Sequence, residues 1–149
     1  MYLKHPTSYG RRQPDGGGAG HFGAPRGDRN HRGVDFLSIT GEPVSAPCSG
    51  TITRIGVCYA DDQSYRLVEI AASRCKVIVM YVNPTVAPGE FVLSGDRIGY
   101  AQNIVRRYPS MGMSNHVHLE LYCNSGEAML GRTGVVPADR VYLNPELFF

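Results

Sequence analysis

The sequence predicts an all-β single domain, a sandwich or small open barrel with long loops and at most short helices. Three observations carry this. The 149 residues are the usual size of one domain and are enough to bury a core. From Val34 onward, short β-type runs recur at close spacing, separated by glycine and proline turns. No internal repeat and no second domain is visible.

Residues 1–30 read as a loop-rich segment packed on the core. Gly16-Gly17-Gly18-Ala19-Gly20, with Pro6, Pro14 and Pro25, breaks any periodicity there. Tyr9, Phe22 and Ala24 are the side chains expected to pin it down. Gly33 to Ile39 is the first strand, ended by Thr40-Gly41-Glu42-Pro43. Val44-Ser45-Ala46-Pro47 follows, then the alternating run Gly50 to Gly56, then Arg66 to Ala71. Lys76 to Val82 is nearly all apolar, which suits a central strand buried on both faces. Between Val86 and Tyr100, Pro88-Gly89-Glu90 and Ser94-Gly95-Asp96 are turns that flank a short strand. A short helix fits only around Ile104 to Tyr108, before Pro109 stops it. His116 to Tyr122 completes a core spanning residues 31–123, and residues 124–149 read as a wrapping tail anchored by Leu143, Leu147, Phe148 and Phe149.

Charge is nearly balanced at +2, which argues against a dedicated nucleic-acid binder. Lysine occurs only at Lys4 and Lys76, and the arginines are scattered, so they read as a solvated surface rather than a patch. No apolar run reaches the roughly 18 residues needed to span a membrane. Met1 to Arg12 has no apolar core of a signal peptide. Arg26-Gly27-Asp28 spells an adhesion tripeptide, a match too short to carry a function. Cys48, Cys58, Cys75 and Cys123 form no CxxC pair, so a thiolate metal site is not expected. Each lies in or beside a predicted strand, where buried thiols and disulfides are equally compatible with the pattern. Cys75–Cys123 is the preferred bridge, because both strands are expected to flank the site.

Two histidine motifs carry the chemistry: His31-Arg32-Gly33-Val34-Asp35 and His116-Val117-His118. They hold three of the five histidines. Zinc takes imidazole nitrogen and carboxylate oxygen, and a catalytic site uses three protein ligands plus a water. Four side chains therefore offer three ligands and one histidine to handle protons. Alternation on a strand turns His116 and His118 to one face, and a turn at Gly33 brings His31 and Asp35 towards one ion. Either motif alone is a weak signal, since exposed strands carry paired histidines without any catalytic purpose. Glu120 shares the face of His118 and is placed to accept a hydrogen bond from it, or else lies at the surface. Tyr65, Tyr100 and Tyr108 are candidates to line a groove, and His5 and His21 read as surface or packing residues.

From about Tyr9 to Tyr122 the chain resembles the lysostaphin-type zinc peptidases, the M23 peptidases, which cut peptide cross-links in bacterial cell walls. The resemblance rests on Gly20-His21-Phe22-Gly23-Ala24-Pro25-Arg26-Gly27 leading into His31-Arg32-Gly33-Val34-Asp35-Phe36. It continues through Val44-Ser45-Ala46-Pro47-Cys48-Ser49-Gly50-Thr51-Ile52 and Gly89-Glu90-Phe91-Val92-Leu93-Ser94-Gly95-Asp96-Arg97-Ile98-Gly99 to Asn115-His116-Val117-His118-Leu119-Glu120. It implies an antiparallel β-sheet fold with a groove over one zinc ion. It implies that His31, Asp35 and His118 hold that ion, and that His116 is the active-site histidine beside the bound water. The implied substrate is a peptidoglycan peptide.

One departure stands out. Active members usually carry a further histidine in a Tyr-x-His segment, and here the stretch is Tyr81-Val82-Asn83-Pro84. In this the chain resembles the leukocyte cell-derived chemotaxin branch, whose members bind zinc and are regarded as non-peptidases. Tyr81 and Asn83 share a face if the strand is regular, so either hydroxyl or amide is a candidate replacement donor. The expectation is a zinc-dependent endopeptidase of the cell wall, with a catalytically impaired zinc-binding module for peptidoglycan or a protein receptor as the alternative. Without a signal peptide, the expected delivery is by a phage tail or injection device, or after lysis. That places the protein on a virion or at the periplasm or cell wall, with tail or secretion-device proteins as possible partners.

Overall fold

The computed structural model describes residues 1–124 and 140–149. In chain order the strands are β1 (Pro25–Arg26), β2 (Arg29–Asn30), β3 (Gly33–Leu37), β4 (Pro43–Ser45), β5 (Gly50–Val57), β6 (Arg66–Ala72), β7 (Cys75–Met80), β8 (Val82–Pro84), β9 (Phe91–Val92), β10 (Arg97–Ala101), β11 (His116–Asn124) and β12 (Arg140–Leu143). The described residues contain no α-helix, only 3₁₀ turns at Ile104–Arg107 and Pro145–Phe148. The first of these is the short helix expected before Pro109.

The large sheet runs β12-β11-β7-β6-β5-β9. β3 pairs with residues 116–120 of β11 and β12 with residues 121–124, both on the edge opposite β7. A second sheet runs β4-β10-β8, β1 and β2 form a small ribbon, and every ladder is antiparallel. Among the described residues no sheet closes into a barrel. Side chains of both sheets meet in one apolar cluster, with Val34, Phe36, Val44, Ile52, Ile70, Val79, Ile98 and Leu119 fully buried.

Alternation along the large sheet creates the opposite face. β11 sends Val117, Leu119 and Leu121 into the core, which leaves His116, His118, Glu120 and Tyr122 on the other side. β7 is buried on both faces, with Val77 and Val79 in the main core and Ile78 in a smaller cluster with Leu67 and Tyr122. It stops earlier than the apolar run suggests. Tyr81 has φ of 68°, a left-handed conformation that breaks the ladder, and Val82–Pro84 crosses into the second sheet against β10.

The N-terminal segment packs on the core, but through different residues than Tyr9. Tyr9 is 50 % exposed, whereas Leu3 is buried with Ala24. The segment's backbone lies along β3: the amides of Arg12 and Leu37 donate to Asp35 and Gly10, and the Asp35 amide donates to Gly20. At the C-terminus, Leu143, Phe148 and Phe149 pack against the core, while Leu147 is 78 % exposed. The rest of the expected tail, residues 125–139, lies outside the described residues. His5 is a packing histidine, with its ring centroid 4.8 Å from Phe36 and 5.1 Å from Phe149. Cys75 and Cys123 are directly opposite in the β7–β11 ladder and form a disulfide, while Cys48 and Cys58 are thiols. Burial pushes both thiols up to about 11.

Candidate metal centre

The centre is built on the β3–β11 ladder. Antiparallel register sets Asp35 directly opposite His118. Gly33 stands opposite Glu120 in the same ladder. Any Cβ at Gly33 would run into the Leu119 carbonyl oxygen and come within 2.8 Å of the His118 ring. The glycine of the first motif therefore lets β3 lie close to β11 beneath the imidazole. His31 arrives from the end of β2, its backbone held by Ala24 and Gly23.

The three potential ligand atoms form a tight triangle. His118 Nδ1 is 2.8 Å from Asp35 Oδ1 and 3.0 Å from His31 Nε2, and His31 Nε2 is 3.2 Å from Asp35 Oδ1. Ligand atoms at about 2.0–2.1 Å from one tetrahedral ion lie about 3.3 Å apart. The separations and the N₂O donor set thus fit a small divalent ion, and this is a group that could hold a metal. The outer nitrogens are spoken for: His31 Nδ1 lies 2.8 Å from the His21 carbonyl oxygen, and His118 Nε2 lies 3.1 Å from Glu120 Oε1. Each is placed to donate there, which leaves the inner nitrogen's lone pair for the ion. His21 serves through its carbonyl, its side chain being exposed. Of the two readings open for Glu120, the buried hydrogen-bond partner of His118 is the one observed.

Without an ion, the centre is held together by charge, and a metal binding there displaces the proton that His118 otherwise holds. Burial pushes the Asp35 carboxyl up, but the His118 and His31 imidazoles outweigh it and hold the group well below the usual range. Burial likewise depresses His118, and its hydrogen bonds to Asp35 and Glu120 more than reverse this, raising it to about 9. His116 is different. Burial lowers it, and Asp35 offsets only part of that, so the ring is neutral near pH 7. Its Nδ1 is 2.8 Å from the Ser114 carbonyl oxygen, and its Nε2 lies 3.7 Å from Asp35 Oδ2. With the proton on Nδ1, Nε2 is a free base at the edge of the triangle.

All four side chains line one cavity of about 360 Å³. Tyr81 also lines it, its ring edge-on to His116 at 5.7 Å and its hydroxyl 3.1 Å from the Tyr59 hydroxyl. Of the three tyrosines that are candidates to line a groove, Tyr108 lines the cavity, whereas Tyr65 and Tyr100 do not. Asn83 is exposed on β8, paired with Tyr100, and is not among the lining residues. The expectation that Asn83 shares a face with Tyr81 fails because the left-handed turn at Tyr81 resets the alternation.

Sequence reasoning missed Arg12, Asp15 and Tyr59. Arg12 is buried and donates to Asp35 Oδ2 at 2.8 Å and to both oxygens of Asp15. None of the three lies in a periodic run, so no local signal could reveal them; Asp15-Gly16-Gly17 hints only at the turn that the Asp15 side chain closes on Gly17.

The model of peptidase family M23 matches residues 29–129. Leukocyte cell-derived chemotaxin-2 of Bos taurus is 29 % identical over 107 residues, covering 71 % of this chain and 69 % of that protein. The structure of cbpa from L. salivarius REN superposes with a TM-score of 0.65 at 23 % identity, covering 99 % of this chain and 94 % of that one. The catalytic domain of lysostaphin from Staphylococcus simulans, described as an antimicrobial peptidase, gives a TM-score of 0.58 at 25 % identity, covering 88 % of this chain and 89 % of that one.

Proposed function

Because this chain belongs to peptidase family M23, we propose that it is a zinc-dependent endopeptidase acting on the peptide cross-links of bacterial peptidoglycan. The observation that carries the reading is the triangle of His31 Nε2, Asp35 Oδ1 and His118 Nδ1 with the uncommitted Nε2 of His116 at its edge. These three would hold the zinc ion, which when bound polarises a peptide carbonyl and acidifies a water molecule. His116 takes the proton from the attacking water on Nε2 and passes it to the leaving amine nitrogen. The Ser114 carbonyl fixes the ring and its tautomer for that task. Tyr81 stands in the wall beside His116 as a hydroxyl donor for the carbonyl oxygen as it gains negative charge. Burial pushes its phenol well above the ordinary range, so it stays protonated and able to donate.

A second reading has its own support. Among the described residues, the cavity contains no histidine beyond His31, His116 and His118, and a chemotaxin is among the similar proteins. On that reading the centre holds zinc and the groove binds peptide without cutting it. Digestion of purified cell walls separates the two. Zinc-loaded protein is expected to release new amino termini, and chelation to stop it. His116→Ala should lower the rate by about 10²–10⁴-fold while zinc content stays at one equivalent. Wall binding with no release, unchanged by His116→Ala, would establish the second reading instead. His31→Ala and Asp35→Ala should both lose zinc; full zinc content in the double variant would overturn the ligand set.

A further inference from the structure

The scattered arginines of the sequence converge in space. Arg26 and Arg29 are direct partners in the β1–β2 ribbon, Arg32 follows at the start of the β3 approach, and all three line the cavity of the metal centre. Their commitments differ. Arg26 donates to the carbonyls of Ala19 and Pro25 and lies 3.9 Å from Asp35 Oδ2. Arg29 and Arg32 are exposed, and among the described residues neither has a carboxylate within ion-pair distance. Arg32 rests over the Tyr142 ring at 5.0 Å, which steadies the guanidinium without neutralising it. The cavity's own acids do not answer this charge. Asp35 is taken by Arg12 and the imidazoles, and Glu120 by His118. Asp28, in the ribbon's turn, does not line the cavity.

We propose that Arg29 and Arg32 make the site selective for peptides bearing a free carboxylate close to the bond presented to the metal centre. The inference rests on the endopeptidase reading for the bond and on the cationic rim for the carboxylate. A guanidinium suits this ligand, because its planar fork matches a carboxylate with two parallel hydrogen bonds. The anionic group belongs to the substrate peptide itself, since rim and metal centre share one cavity.

The test uses two synthetic cross-linked peptides that are identical except that one has its side carboxylate amidated. Zinc-loaded protein is expected to show a KM about fivefold lower for the carboxylate form, with the gap narrowing as salt rises. The double variant Arg29→Gln/Arg32→Gln should lose the discrimination between the two peptides. Equal KM values in the unaltered protein, or discrimination retained in the double variant, would overturn the proposal. If neither peptide is cut, the endopeptidase reading fails on its own, and equilibrium binding of the same pair still decides the rim: preference for the carboxylate form sustains it, and equal binding overturns it. A phosphate-bearing wall polymer that binds the rim while both peptides bind equally would assign the arginines to a different ligand and likewise overturn the proposal.

Discussion

Arg12 carries its charge into a nearly closed environment, with 1 % of its side chain exposed. It bridges two sides of the centre. One arm of the guanidinium donates to Asp35, and the others hold Asp15, whose Oδ2 accepts the Ser114 amide at 2.9 Å, while the Ser114 carbonyl fixes His116. One buried cation thus steadies both the ligand carboxylate and the histidine meant as base. Arg12→Met removes that cation and strips two carboxylates of their guanidinium, leaving Asp35 to the imidazoles and Asp15 to the amides of Ser114 and Gly17, so it should cost about 3 kcal/mol in urea unfolding. A loss below about 1 kcal/mol would mean that the two acids find other partners. Gly33 acts by what it lacks. In Gly33→Ala the new methyl meets the Leu119 carbonyl and the His118 ring, so zinc affinity should fall about 10–100-fold in a competitive chelator titration, the range for a disturbed ligand orientation. Unchanged affinity would show that β3 can move aside without disturbing His118.

At the level of strands, β6 carries a buried acid. Glu69 accepts hydrogen bonds from Thr53 and Arg54 on β5, from Lys76 on β7 and from Tyr122 on β11, one strand further along the sheet. Burial raises its carboxyl, but these partners outweigh that and bring it to about 2. Its folded value lies below its unfolded value, so its stabilisation is complete above about pH 4.5 and fades as pH falls towards about 2. Urea midpoints for the unaltered protein and Glu69→Gln should therefore differ most at about pH 6 and converge only as pH falls to about 2 and below. A gap independent of pH would show that the carboxylate's charge is not what stabilises this sheet. Strands also decide what the sequence could reveal. In β11 the alternation of His116, His118 and Glu120 with Val117, Leu119 and Leu121 states both the core face and the site face directly, because period two maps onto the pleat. Across β3 the same alternation sets Asp35 apart from the core residues Val34 and Phe36, although the motif is what singles it out, and Gly33 lies within the strand rather than in a turn. The alternation fails at Tyr81, where an apolar run hides a left-handed residue imposed by the crossover to the second sheet, and so Asn83 turns away from the cavity. Arg12 and Asp15 were beyond reach for a different reason: their partners lie 23 and 99 residues away, and loop segments carry no period to read.

For the molecule as a whole, the centre joins parts that local structure leaves separate. His31 belongs to the end of the β1–β2 ribbon, Asp35 to β3 and His118 to β11, while the N-terminal segment lies along β3 and reaches Asp35 through Arg12. An ion gripping all three ligands therefore fastens the loop-rich N-terminal segment to the large sheet. A ligand that binds only the folded state adds about 2.7 kcal/mol when present at 100 times its Kd. For a domain of this length each kcal/mol moves Tm by about 2–4 °C. Stripping the metal with a chelator should lower Tm by about 5–10 °C, and restoring zinc should recover it. The shift should vanish in His31→Ala and Asp35→Ala but persist in His116→Ala, which keeps the three ligands. A zinc-dependent rise in Tm that survives in both ligand variants would mean that the ion binds elsewhere, and the triangle on β3 and β11 would lose its claim to be the centre.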